Sequence, residues 1–206
     1  MKKRDWLVGI VAFLAVFAWF YKPWEYFLSS PPPVPIPPVV VEEPDVIEFI
    51  EFEGEAKTPV RLAIAALEVD TFVVGVGVTS QGDMDTTKEP YGIAWYTRGA
   101  SPGWKGNALL AGHNYWNGIP GSFVILSYLP PGEEVLITYA DGSIGRFQVI
   151  SNDTYELDEI PASVMSLTGE TRTTLISCNG KRLLNGGYSQ RTIVILKAQG
   201  IDPPEN

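Results

Sequence analysis

Residues 134–151 read EVLITYADGSIGRFQVIS. Two short runs rich in apolar and β-branched residues, Glu134–Tyr139 and Arg146–Ser151, flank the tetrapeptide Ala140-Asp141-Gly142-Ser143. A turn tetrapeptide of this kind between two such runs is a β-hairpin signal. The same texture continues in both directions. Further candidate strands are Arg61–Leu67, Phe72–Val78, Ile93–Tyr96, Ala108–Ala111, Thr173–Cys178 and Thr192–Ala198, punctuated by Gly, Pro, Asn and Asp. Ser122–Leu129 reads as a short helix with Ser122 as its N-cap, and Pro161–Leu167 as one more helical turn. About eight short strands and few helices predict an all-β barrel or sandwich.

The chain has 206 residues, enough for one ordinary domain and an appendage. At 45% hydrophobic it can build a sizeable core, which excludes global disorder. The formal net charge is −9, and the acidity is uneven. Residues 1–28 are net basic, through Lys2, Lys3, Arg4 and Lys22 against Asp5 and Glu25, so the remainder carries a net −11. So acidic a domain repels phosphate backbones and anionic lipid headgroups, which argues against nucleic-acid binding.

Lys2, Lys3 and Arg4 precede an uncharged apolar stretch from Trp6 to Tyr21. Trp6 at one end and Trp19, Tyr21, Trp24 and Tyr26 at the other match the aromatic belts of a membrane-spanning helix. No small-residue cleavage pattern follows, which favours an uncleaved anchor over a signal peptide. Positive charge before the span places the N-terminus in the cytoplasm and the rest outside. Residues 31–44 read PPPVPIPPVVVEEP, a run that favours polyproline II and spans about 40 Å when extended. The expected layout is a cytoplasmic tail at 1–5, an anchor at 6–28, a Pro-rich acidic stalk at 29–57, the folded domain at 58–200 and a short tail at 201–206.

The chain has one Cys and one His. A single Cys excludes an intramolecular disulfide, and the two together cannot make the usual four-ligand structural zinc site. His113 follows the apolar run Leu109-Leu110-Ala111-Gly112, and Cys178 ends the run Thr173–Cys178 before the turn pair Asn179-Gly180. Arg191 opens the next strand. If the last two strands pair antiparallel, Cys178 and Arg191 become neighbours on strands about 4.8 Å apart, with residues 179–190 overhanging them. The chemistry of this trio is coherent: a thiolate attacks, an imidazole exchanges the proton, and a guanidinium that never titrates stabilises an oxyanion. Singly, each has a plainer reading, as a buried small hydrophobe, a structural histidine and a solvated charge. Spacing alone does not bring them together.

The same residues resemble the sortase family. The histidine context Ala111-Gly112-His113, the strand end Thr174-Leu175-Ile176-Ser177-Cys178 and Arg191 at the start of the following strand match the family's motifs in the family's order. Trp95-Tyr96, Pro102-Gly103 and Gly106-Asn107 are similar to its approach to the histidine, and the likeness runs from about Pro59 to Ala198. Ser177 stands where Thr is usual; its hydroxyl preserves a polar contact to substrate. The resemblance implies an eight-stranded sortase-like β-barrel with one or two short helices. It further implies a cysteine transpeptidase in which Cys178 attacks an LPxTG-like sorting motif, His113 serves as acid and base and Arg191 as electrophilic partner. The implied partners are surface proteins bearing that motif and an amine on a cell-wall precursor or a pilin. No cofactor and no metal is implied; Asp83, Asp85 and Glu89 are too loosely spaced to signal calcium and read as a solvated loop.

Two rivals frame this reading. Other cysteine enzymes fit poorly: the surroundings of Cys178 lack the S-x-G-C-R signature of L,D-transpeptidases, and His precedes Cys, the reverse of papain-like hydrolases. A non-enzymatic surface module would use the same anchor, stalk and β-domain, with Trp95, Trp104, Tyr115 and Trp116 stacking on sugars. It leaves the joint His, Cys and Arg pattern without a purpose.

Overall fold

The computed structural model describes residues 49–184 and 186–204. Among the described residues there are ten strands: β1 (Pro59–Ile64), β2 (Val69–Val76), β3 (Ile93–Tyr96), β4 (Asn107–Gly112), β5 (Tyr115–Trp116), β6 (Ile119–Pro120), β7 (Glu134–Tyr139), β8 (Ile144–Glu156), β9 (Arg172–Arg182) and β10 (Tyr188–Asp202). Eight of them close into a barrel in the order β1-β2-β3-β4-β9-β10-β8-β7, and β5 and β6 form a separate hairpin. The barrel choice between the two predicted architectures follows from closure of β7 on β1, which leaves no open sheet edge. Two pairs, β2–β3 and β4–β9, are parallel; the other barrel pairs are antiparallel.

The hairpin at 134–151 forms as read, with Glu134 opposite Gln148 and Thr138 opposite Ile144. Period-two alternation sends Val135, Ile137 and Tyr139 inward, where they meet Leu62, Leu110, Phe147, Leu175, Val194 and Leu196 in the core. Tyr139 donates its hydroxyl proton to the Pro102 carbonyl at 2.7 Å, and burial pushes its phenol well above the usual tyrosine range.

Several expected elements are shifted. The predicted first strand stops at Ile64, where a 3-10 turn (Ala65–Leu67) and a left-handed Glu68 return the chain into β2. Ser122–Leu129 is not an α-helix capped by Ser122; only Leu126–Tyr128 form a 3-10 turn, without a side-chain cap. Phe123, Leu126 and Leu129 are the buried residues, and a spacing of three suits three residues per turn. Asn152 ties this turn down through Nδ2, which donates to the carbonyls of Leu126 and Leu129. The second predicted turn is present as α1 (Ala162–Met165). Asn179-Gly180 does not end β9. Asn179 pairs with Gln190, Gly180 takes φ +78°, and Gly180 and Lys181 together face the single residue Ser189, so a bulge replaces the turn and the strand runs on to Arg182. The overhang expected at 179–190 shrinks to 183–187.

The lead-in to β1 also differs from a free stalk. Phe52 is buried in the core, edge-on to Trp104 at 5.5 Å and tilted against Phe147 at 5.7 Å. Its N–H donates to the Gly103 carbonyl at 2.7 Å, Trp104 Nε1 donates to the Gly54 carbonyl at 3.1 Å, and Lys57 pairs with Asp141 at 2.7 Å. Residues 51–57 are therefore part of the folded domain, and β10 extends it to Asp202. Ile47–Asn206 is one compact unit. Among the described residues no helix is long and apolar enough to cross a membrane. The expected tail, anchor and stalk as far as residue 48 lie outside the described residues.

Candidate active site

The site is made where strands end. β4 and β9 run parallel, with Gly112 opposite Ser177, so both chains reach the same end of the barrel and continue there into His113 and Cys178. β10 runs antiparallel to β9, and its register sets Arg191 directly opposite Cys178. Side-chain alternation fixes the face. Leu175 and Val194 are partners in this ladder and both lie in the core; Cys178 and Arg191 sit three residues further along, on the outer face. All three residues singled out from the sequence line one cavity of about 470 Å³. Its walls include Ala111 and Ile176 from the strands, Met165 from α1, and Asp83, Met84 and Thr86 from the β2–β3 connection.

Each polar group has a definite setting. Cys178 is a free, half-buried thiol. His113 Nε2 lies 2.9 Å from the Thr87 carbonyl oxygen, and its ring packs on Trp116 at 4.7 Å between centroids with a 36° tilt. Arg191 Nη1 donates to the Gln190 and Tyr188 carbonyls at 2.8 and 3.2 Å, and no carboxylate pairs with it among the described residues. Among the described residues its charge is therefore not neutralised, as an oxyanion partner requires. The arrangement can hold a carbonyl carbon near a thiol, a proton-exchanging ring and a fixed cation at once.

Ser177 lines the same cavity, but its hydroxyl is engaged within the protein. The side chain alternates inward from Cys178, is 3% exposed, and donates to the Gly112 carbonyl at 3.1 Å and the Phe123 carbonyl at 3.2 Å. It ties β9 to β4 and to the turn behind His113. Of the loop carboxylates, Asp85 accepts from Lys88 Nζ at 2.7 Å and from Thr86 N–H at 2.8 Å, which hold its pKa below the usual carboxylate range. Among the described residues no group of three His, Cys, Asp or Glu side chains is placed to hold a metal ion. A second hollow of about 430 Å³, beside Tyr91 and Ile125, contains no Cys, His or Arg.

The sequence reading missed three contributors. Thr87 acts through a main-chain carbonyl, which no side-chain pattern advertises. Met84 is a single apolar residue between two aspartates, and Met165 ends the short helix α1, where nothing in its sequence pattern points to the cavity. Trp116, read under the rival view as a sugar-stacking aromatic, packs on His113 instead, and a signal for its placement was present. Asn117 and Gly118, both at positive φ, form the two-residue turn of the β5–β6 hairpin, and Asn-Gly is the preferred pair for that turn.

A family model described as the sortase domain matches residues 62–199. The chain belongs to the sortase family. No curated protein matches it in a sequence comparison. Solved sortases share its fold at low identity. Sortase A from Listeria monocytogenes is 19% identical, with a TM-score of 0.55 over 74% of this chain and 93% of that one. Sortase E1 from Streptomyces coelicolor, solved with a tripeptide in its active site, is 21% identical, with a TM-score of 0.54 over 73% and 94%. A sortase from Actinomyces oris is 19% identical, with a TM-score of 0.53 over 77% and 89%. The eight-stranded barrel is thus the sortase barrel, and membership of the family carries the class of cysteine transpeptidases with it.

Proposed function

We propose that this sortase cleaves an LPxTG-like sorting motif through a thioester on Cys178 and passes the acyl group to an amine. The observation that carries the reading is the ladder pair Cys178–Arg191 sharing one cavity with His113. The Cys178 thiolate adds to the scissile carbonyl carbon, and Arg191 stabilises the negative charge on the oxygen. The C–N bond breaks, and the His113 imidazolium gives its proton to the departing nitrogen. An incoming neutral amine then attacks the thioester carbon, the C–S bond breaks, and His113 takes the proton from that nitrogen. The thiolate–imidazolium pair is restored. Substrates would be surface proteins bearing the motif, and acceptors the amine of a cell-wall precursor or a pilin lysine. An anchor at residues 6–28, with the catalytic domain outside the cell membrane, suits such partners.

The test uses residues 47–206, which keep Phe52, with a panel of LPxTG-like peptides and a glycine-based amine. Intact-mass spectrometry is expected to find an acyl adduct on Cys178 that the amine discharges to a ligated peptide. Cys178→Ala abolishes the adduct. A folded protein whose Cys178 resists alkylation and forms no adduct with any peptide would sink the assignment.

A further inference from the structure

The β2–β3 connection reaches the site because β2 and β3 are parallel. A parallel pair needs a crossover that returns along the barrel, and residues 77–92 make it. Ile93 pairs with Gly112, so the crossover ends beside the residue that precedes His113. Its course is held: Thr79 N–H donates to the Asp83 carbonyl at 2.8 Å, Asp85 N–H to the Gly77 carbonyl at 3.0 Å, and Lys88 pairs with Asp85 at 2.7 Å. Thr87 itself is buried, and its Oγ1 donates to the Glu89 carbonyl at 3.0 Å. A fixed carbonyl is thereby presented to the imidazole.

A carbonyl oxygen only accepts hydrogen bonds. At 2.9 Å from Thr87 O, the His113 Nε2 must carry the proton whenever the ring is neutral. Trp116 lies against one face of the ring, and the His113 backbone is held by Phe123 N–H on its carbonyl at 3.0 Å, so the hydrogen bond to Thr87 is what selects the tautomer. We infer that Thr87 is a positioning residue that fixes the tautomer of His113, so that Nδ1 alone exchanges protons with substrate while Nε2–H stays on the Thr87 carbonyl. Its catalytic meaning rests on the transpeptidase reading. In acylation the Nδ1 proton goes to the departing nitrogen; in deacylation Nδ1 accepts the proton of the attacking amine. Nε2 neither gains nor loses one. A histidine held this way needs no carboxylate partner, and no acidic side chain pairs with it among the described residues.

His113 is the chain's single histidine, so a ¹⁵N-histidine label reports this ring alone. Two-bond ¹H–¹⁵N spectra of the full chain at pH about 9, where an imidazole is neutral, are expected to show Nε2 protonated and Nδ1 bare. The opposite tautomer, or an even mixture, overturns the inference. An ester replacing the amide between Thr87 and Lys88 weakens the carbonyl as an acceptor without changing its shape. It is expected to mix the tautomers and lower kcat for acyl transfer about fivefold, the worth of one ordinary hydrogen bond, with KM for the peptide unchanged. Thr87→Val, which frees the carbonyl by removing the bond to Glu89, should do the same, and Thr87→Ser should restore both readouts. Mixed tautomers with unchanged kcat would overturn the positioning role. If the unmodified chain forms no acyl-enzyme, the transpeptidase reading fails instead, while the spectrum still decides the tautomer.

Discussion

The two sides of the cavity are held by different physics. On one side Cys178 and Arg191 face each other across a β-ladder, so their separation is a property of backbone hydrogen bonds and strand register. A slip of one residue would turn both to the core. On the other side His113 stands one residue beyond β4, and everything that orients it comes from connections: Thr87 from the β2–β3 crossover, Trp116 from the β5–β6 hairpin, Phe123 from the turn that follows. The ladder side is rigid by construction, whereas the histidine side is only as fixed as its loops. Substitutions on the ladder side should therefore remove chemistry and leave structure; substitutions on the loop side should misplace a base that is still present.

The largest effect separates these cases. Arg191→Ala removes a charge from the outer face without touching the core. It is expected to lower kcat by about 10²–10³, the cost of losing one oxyanion donor, with no change in melting temperature beyond about 2 °C. Steady-state kinetics and thermal unfolding on the same preparation check it. A loss below tenfold would mean that Arg191 does not face the developing charge.

Gly121→Ala probes the other side. A Cβ at Gly121 would clash with the His113 carbonyl and lie 2.8 Å from the His113 Cβ. Backbone cannot yield cheaply there, because Gly121 N–H donates to the Asn114 carbonyl at 2.8 Å. The expected result is a fall in kcat of about tenfold to a hundredfold, while Cys178 remains open to alkylation. Unchanged kcat would show that the loop side tolerates movement and that the contrast drawn here is too sharp.

The same contrast governs what the sequence made legible. Strand residues announce themselves, because alternation and turn chemistry are written in side chains. The hairpin at 134–151 could be read directly, and Arg191 could be set against Cys178 by assuming one antiparallel pairing. Loop-held features were not legible. Thr87 contributes a carbonyl, which every residue has. Asn179-Gly180 reads as a turn, yet pairing across the β9–β10 ladder turned it into a bulge. Phe52 lies in a run of glutamates, and only its packing on Trp104 and Phe147 explains its burial. Composition assigned it to the stalk; packing assigns it to the core.

Phe52 supplies a remote control for the comparison. Phe52→Ala should cost about 3 kcal/mol or more, read as a melting temperature lower by roughly 10 °C, with activity per folded molecule unchanged below the transition. A change in KM or kcat at low temperature would mean that the lead-in communicates with the cavity.

Ser177 joins the two sides, since its hydroxyl reaches both the Gly112 and the Phe123 carbonyl. Ser177→Ala should cost about 1 kcal/mol of stability and lower kcat severalfold, leaving KM for the peptide unchanged. A KM effect alone would favour the expectation that this hydroxyl touches substrate.

The smallest effect concerns the ion pair that supplements Phe52 in the lead-in. Lys57 Nζ lies 2.7 Å from Asp141, and the Ser143 hydroxyl and N–H also donate to that carboxylate, at 2.6 and 3.0 Å. Lys57 first and Ser143 next hold Asp141 well below the usual carboxylate range. A group depressed on folding contributes stability that is complete above its unfolded pKa, about 3.9, and is lost as pH falls toward its folded value. Both side chains are partly exposed, so the contribution is small and weakened by salt. Between pH 6 and pH 3 the melting temperature of Asp141→Asn should accordingly fall less steeply than that of the unmodified domain, and the difference should shrink in high salt. Parallel curves at low salt would show that the pair contributes nothing, and that Phe52 and the main-chain hydrogen bonds fasten the lead-in to the barrel.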